Sequence, residues 1–267
     1  MNKFLGRLGV IASVLAAVSY GSIGAASAAP PAFNWTGFYV GGNVGYGWGS
    51  SDASVTFTDT LGTLFSSSGA IKASGAIAGG GAGYNWQSGQ WVFGVEADLQ
   101  WSGQKGSQDF ICPAGVCALG PAVTTSVTEK LQWFGTVRPR VGWLFTPTTM
   151  FYVTGGLAYG KVNESGTISN GVVSTPFDFS RTSAGWTAGG GVEGKIDGNW
   201  SWKVEYLYLQ LREPDGSVLT NLPTLRLTPP PTVEIDPLFK DNIVRVGINY
   251  KFGAEPAPKS KSLLITK

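Results

Sequence analysis

Ten charged residues recur at alternate positions of apolar runs: Glu96 and Asp98, Arg138 and Arg140, Glu193 and Lys195, Lys203 and Glu205, Arg245 and Lys251. Two carboxyl groups held near each other can do general acid and base work, as in glycoside hydrolysis. Glu96 and Asp98, however, share a chain with a surplus of bases, and mutual neutralisation is the simpler chemistry for such a set. The chain contains no histidine, which removes Ser-His-Asp catalysis and His-ligated metal sites. Cys112 and Cys117 fall in one short segment, CPAGVC. In an exported chain they read as a local disulfide, with metal binding as the second reading, since two thiolates alone leave a zinc site incomplete. Gly189 to Gly194 fits G-x-G-x-x-G literally, but it lies in a strand pattern that ends in a hairpin, with no helix to receive a pyrophosphate. These glycines and Gly79 to Gly81 suit close approach of bulky neighbours or strand bending. No catalytic residue, metal ligand or cofactor site is read, and the chain is not expected to be an enzyme.

What positions the charges is a two-residue period. Trp91 to Trp101 reads WVFGVEADLQW, with Trp91, Phe93, Val95, Ala97, Leu99 and Trp101 on one face and Glu96, Asp98 and Gln100 on the other. Tryptophans at both ends of the apolar face of an eleven-residue stretch suit a strand that crosses a bilayer. The pattern recurs over Asn34–Gly49, Ala73–Trp86, Glu129–Phe145, Met150–Val162, Arg181–Ile196, Trp200–Leu211 and Lys240–Phe252. In Glu129–Phe145 the outward set is Leu131, Trp133, Val137, Val141 and Trp143, facing away from Gln132, Thr136, Arg138 and Arg140. Pro139 leaves that ladder one N–H short. Trp133, Trp143, Trp200, Trp202, Tyr250 and Phe252 join Trp91 and Trp101 as a lipid-facing aromatic girdle.

Eight strands result, joined alternately by short turns and by long segments, Ser50–Lys72, Gln104–Thr128, 163–180 and Arg212–Phe239. The alternation puts every long loop at one end and every turn at the other. The expected fold is all-β: a closed eight-stranded antiparallel up-and-down transmembrane β-barrel, whose closure leaves no unpaired edge in lipid. Eight strands leave an interior that side chains can fill. The ten charges therefore read as a lumen network that plugs and braces the barrel, because unpaired buried charge is costly. A narrow pore favouring anions is the second reading, from the surplus of bases. A soluble ligand-holding barrel is the third.

The compartment follows from the N-terminus. Lys3 and Arg7, an apolar stretch from Gly9 to Ala17 and Ala26-Ser27-Ala28 form a cleavable signal peptide over residues 1–28, with a transmembrane helix as the competing reading. Of 19 basic and 17 acidic residues, Lys3 and Arg7 fall in that leader, so the remainder is neutral and offers no surface for nucleic acid. Thirty-nine glycines alongside 14 Phe, 9 Tyr and 10 Trp, with 13% charged residues, suit one repetitive β architecture over 29–252. A tail, 253–267, follows it.

Two stretches, Asn34-Trp35-Thr36-Gly37-Phe38-Tyr39-Val40-Gly41-Gly42 and Asp241 to Phe252 (DNIVRVGINYKF), resemble the alphaproteobacterial outer-membrane β-barrel proteins. These are the outer-membrane immunogenic protein or porin family group of rhizobia and brucellae. The resemblance spans Trp35 to Phe252. It implies an eight-stranded barrel of the OmpA and OmpX kind in the cell outer membrane, lipid and lipopolysaccharide as neighbours, barrel-assembly machinery during biogenesis, and envelope, host or cell-wall contacts. Haem binding or porin activity has been proposed for some members. It carries no catalytic residue. Its members end near the last strand's Phe, whereas this chain continues past Phe252 with three lysines.

Overall fold

The computed structural model describes residues 33–59, 62–117, 121–212, 217–219, 232–235 and 238–253. The leader, Pro229 to Pro231 and the tail beyond Gly253 lie outside the described residues. Eleven strands are present: β1 (Gly37–Asp59), β2 (Gly62–Ser88), β3 (Trp91–Ser102), β4 (Lys105–Cys112), β5 (Val123–Thr146), β6 (Thr149–Ser169), β7 (Ser174–Lys195), β8 (Trp200–Arg212), β9 (Ser217–Leu219), β10 (Thr232–Ile235) and β11 (Leu238–Lys251). All pairings are antiparallel. Eight strands pair in a ring, β1–β2–β3–β5–β6–β7–β8–β11, and β11 returns to β1 from Tyr39↔Lys251 to Ser50↔Lys240. At the turn end Gly89, in the two-residue turn between β2 and β3, and Gly198, in the four-residue turn between β7 and β8, adopt φ of 59° and 51°, the left-handed conformation that glycine takes without strain.

Most of what the sequence assigns to long loops is strand. β1 and β2 pair up to Asp59↔Gly62, with a register shift between Phe57 and Thr58, β5 and β6 up to Thr124↔Ser169, and β6 and β7 up to Ser169↔Ser174. β5 alone has 24 residues, about 80 Å of strand, far more than a bilayer needs. The segment Ser50–Asp59 shows why it escapes a search for outward apolar residues. There Ala53, Val55 and Phe57 are buried, while Asp52 is exposed and Ser54 and Thr56 half-buried. The alternation continues, but its polarity is inverted.

Leu131 is a correction. It is fully buried, not outward, because the β5–β6 register shifts between Leu131 and Trp133. A bulge adds one residue to one strand and so reverses the facing of everything beyond it. Inward residues are therefore odd-numbered up to Leu131 and even-numbered from Phe134 to Leu144. At Pro139 the ladder to β6 skips from Val137↔Leu157 to Arg140↔Thr154, and the Thr154 hydroxyl donates to the Pro139 carbonyl at 2.9 Å. Asn34 to Thr36 is also not strand. Gly37, at φ 143°, redirects the chain, and Phe33 and Trp35 turn inward to be buried at the turn end.

Candidate functional site

The interior is stacked in layers. At the turn end Phe33, Trp35, Val92, Leu144, Met150 and Tyr152 form an apolar base. Trp35 N–H donates to Gln87 Oε1 at 2.8 Å, and Gln87 N–H to Thr36 Oγ1 at 2.9 Å, so this strap is fastened to β2. Lys195 and Lys251 stand here, their ammonium groups 4.7 and 4.5 Å from the centre of the Phe33 ring. Lys251 also donates to the Asn34 carbonyl. Cations over an aromatic face are attracted by its quadrupole.

Above the base lies the ion layer, which holds the other eight charged residues read from the sequence. Register prepares it: Glu96 lies opposite Arg138, Glu193 opposite Lys203 and Glu205 opposite Arg245. The side chains then cross the lumen. Arg138 Nη2 is 2.9 Å from Glu96 Oε1 and 2.7 Å from Asp98 Oδ2, and its Nη1 is 3.4 Å from Glu205. Arg245 reaches Asp98 at 2.9 Å and Glu205 at 2.6 Å, Arg140 reaches Glu193 at 2.8 Å, and Lys203 reaches Glu96 at 3.0 Å. Four carboxylates thus face four cations, and their formal charges cancel. The surplus of bases read along the chain comes from Lys195 and Lys251, which sit outside this layer.

Several partners were not singled out from sequence. Tyr39 O–H donates to Glu96 at 2.7 Å and Tyr152 O–H to Glu205 at 2.9 Å. Thr136 serves Asp98 at 2.9 Å, and Ser201 and Asn249 serve Glu193, both at 2.7 Å. Their signal was parity alone: each stands at an inward position of a strand. The glycine runs make room for them. A Cβ at Gly81 would meet Asp98 Cβ at 2.8 Å, and one at Gly191 the Tyr152 hydroxyl at 2.8 Å. The G-x-G-x-x-G stretch is therefore wall that admits a tyrosine.

Next comes a second apolar layer, with Leu131, Phe134, Leu207, Leu209, Leu211 and Ile243 each no more than 1% exposed. Beyond it, Gln104 donates to Asp241 at 2.8 Å and Ser51 to Glu129. The loop end holds a third apolar cluster, including Val55, Phe57, Ile71, Phe110 and Ile168. The Cys112–Cys117 disulfide is made, and both cysteines are buried in this cluster. Among the described residues no group of three or more Cys, Asp or Glu is arranged to hold a metal ion.

On the outside, Trp91, Trp101, Trp143, Trp200, Trp202 and Phe252 are exposed, and Trp133 and Tyr250 half-buried. Neighbouring rings touch: Trp200 and Tyr250 lie 5.0 Å apart, Tyr250 and Phe252 5.2 Å. Exposed aliphatic residues such as Val153 and Leu157 fill the band between the aromatic rows, and so contiguous an apolar surface marks an apolar surrounding.

Comparison with known proteins identifies the family. Over 241 residues, 85% of this chain and 88% of the relative, the sequence is 36% identical to a 31 kDa outer-membrane immunogenic protein of Brucella melitensis. It is 30% identical over 222 residues to a 22 kDa outer membrane protein of Rhizobium leguminosarum, covering 83% and 80% of the two chains. Among solved structures, Neisserial surface protein A aligns at a TM-score of 0.38 and 14% identity, over 81% of this chain and 98% of that one. Residues 13–252 match the family described as outer membrane protein beta-barrel domain, and the chain, an outer-membrane protein, belongs to that family.

Proposed function

We propose that the mature chain, released by cleavage after Ala28, is a closed eight-stranded barrel that works as a structural and surface-interaction element of the outer membrane, with a sealed lumen and no catalysis. The observation that carries this is the layering: a neutral ion layer lies between two apolar layers. Water-filled conduction needs a continuous polar path, and Leu207, Leu209, Phe134 and Ile243 occupy the path here. The ion layer then braces the wall. Each of its carboxylates meets two or more donors, which makes burial of charge tolerable.

An even number of wall strands leaves the termini, the turns and the tail on the periplasmic side and the loop end outside the cell. The relatives' description as immunogenic supports a loop end that is open to the exterior. The aromatic rows mark the two interfaces, with lipid and lipopolysaccharide between and above them. The porin reading drew on a surplus of bases in the lumen, and the layer's balanced charge weakens it. Planar bilayers with purified protein test the proposal. No unitary current is expected, and steady single-channel steps at low voltage would overturn the sealed lumen in favour of a narrow porin.

A further inference from the structure

Every Lys or Arg that points outward from the wall, among the described residues, falls in one belt: Lys72, Lys105, Lys130, Lys161, Arg212 and Lys240. Nothing in the sequence clusters them. Strand register does. Lys240 and Lys72 flank Ser50, Lys105 pairs with Lys130 and lies opposite Ser74 on β2, and Lys161 follows on β6, opposite Trp133. Arg212 on β8 completes the round, two residues from Gln210, the partner of Lys240. Of the eight wall strands β1, β3 and β7 carry no cation at this level: Ser50 and Thr182 stand on β1 and β7, and β4, which follows β3 and lies between β2 and β5, supplies Lys105 in its place.

The height of the belt is as telling as its charge. Lys161 is two residues beyond Tyr159, Arg212 four beyond Tyr208, and Lys105 four beyond Trp101. At about 3.3 Å per residue that is roughly 7–13 Å along the strand past those rings, with Lys161 level with Trp133 on the neighbouring strand. The outward acids Asp52, Asp109 and Asp178 all lie further towards the loop end. Lys105 and Lys130 stand directly opposite each other, a like-charge pairing that costs stability unless an anion lies between them. None of the belt cations has an ion-pair partner among the described residues.

We propose that this belt binds the phosphate groups of the outer leaflet's phosphorylated glycolipid, holding a shell of lipid A around the barrel. A ring of cations suits a ligand that surrounds the protein, whereas a soluble sulfated or phosphorylated glycan would be met by a patch on one side. The proposal rests on the outer-membrane reading above and adds a ligand chemistry to it.

The test uses the mature chain folded in dodecyl maltoside micelles, immobilised and titrated with bisphosphorylated lipid A, with bound lipid measured by mass spectrometry. A lysine at a charged membrane surface contributes about fivefold in affinity, so Lys105→Gln with Lys130→Gln is expected to weaken binding about 25-fold. Lys105→Arg with Lys130→Arg keeps binding within about twofold. Unchanged affinity in the Gln pair overturns the belt, as does equal binding of dephosphorylated lipid A. Capture of a heparin fragment by the same lysines without lipid A overturns it in favour of a glycan. Detergent dependence and the heat-induced shift in gel mobility are read on the same samples. A wild-type chain that stays soluble without detergent sinks the membrane reading and the belt together, whereas a normal shift with unaltered lipid A binding sinks the belt alone.

Discussion

At the scale of single residues the ion layer is a balance that one substitution can tip. Arg138 is fully buried and touches three carboxylates, Glu96, Asp98 and Glu205. Arg138→Met leaves the layer one negative charge in excess, and removing one side of such a buried set typically costs about 3–5 kcal/mol. The expected readout is a lower temperature for the mobility shift that marks barrel unfolding. Asp98→Asn added to Arg138→Met restores neutrality and should recover part of the loss. Tyr39→Phe isolates one hydrogen bond to a charged acceptor, worth about 2 kcal/mol, and should lower the same midpoint by less than Arg138→Met does. The charged members of this layer are legible in the sequence because a strand's period is two and their positions are spaced by two. Lys195 and Lys251 share that parity, yet Phe33 draws them to the base of the barrel, and nothing in their own strands announces that the N-terminal strap would arrive there.

At the scale of strands, parity carries information only until a bulge resets it. On β5, Glu129 and Leu131 point inward on one side of Gln132, and Phe134, Thr136 and Arg138 on the other. Deleting Gln132 would restore unbroken alternation. With the membrane half held by its ion pairs, the upper half of β5 would keep Val127, Glu129 and Leu131 inward, now without the bulge. The expected result is an upper β5–β6 pairing that survives, seen as hydrogen exchange at Val127 and Ile168 as slow as in the unaltered chain, with Arg138 and Thr154 protected as before. Faster exchange at Val127 and Ile168 alone would show that the upper half had lost its register and that the bulge is needed to hold it. The bulge leaves little trace in sequence, since Lys130 to Phe134 alternates plausibly either way. The extended upper strands do leave one, an alternation of apolar-in and polar-out from Asp52 to Phe57, which is invisible to a criterion of outward apolar residues.

At the scale of the molecule these facts make two β structures in series on the same strands. In the lower one charge is inside and oil outside; in the upper one, past the cation belt, oil is inside and hydroxyls outside. The Gln104–Asp241 and Ser51–Glu129 contacts lie between their apolar clusters, so the two cores do not merge and should respond separately to insult. Cys112 and Cys117 belong wholly to the upper core. Opening their short loop with Cys112→Ser and Cys117→Ser removes about 2 kcal/mol of chain restriction there, and burial of two serine hydroxyls among Phe110, Val123 and Ile168 adds to the loss. The lower core touches none of this. Intact cells carrying the double variant should therefore shed upper-strand fragments to an added protease sooner than wild type, while the heat-induced mobility shift of the protected remainder keeps its midpoint. A parallel fall in that midpoint would mean that the two halves unfold as one, and that the polar contacts between them transmit stability.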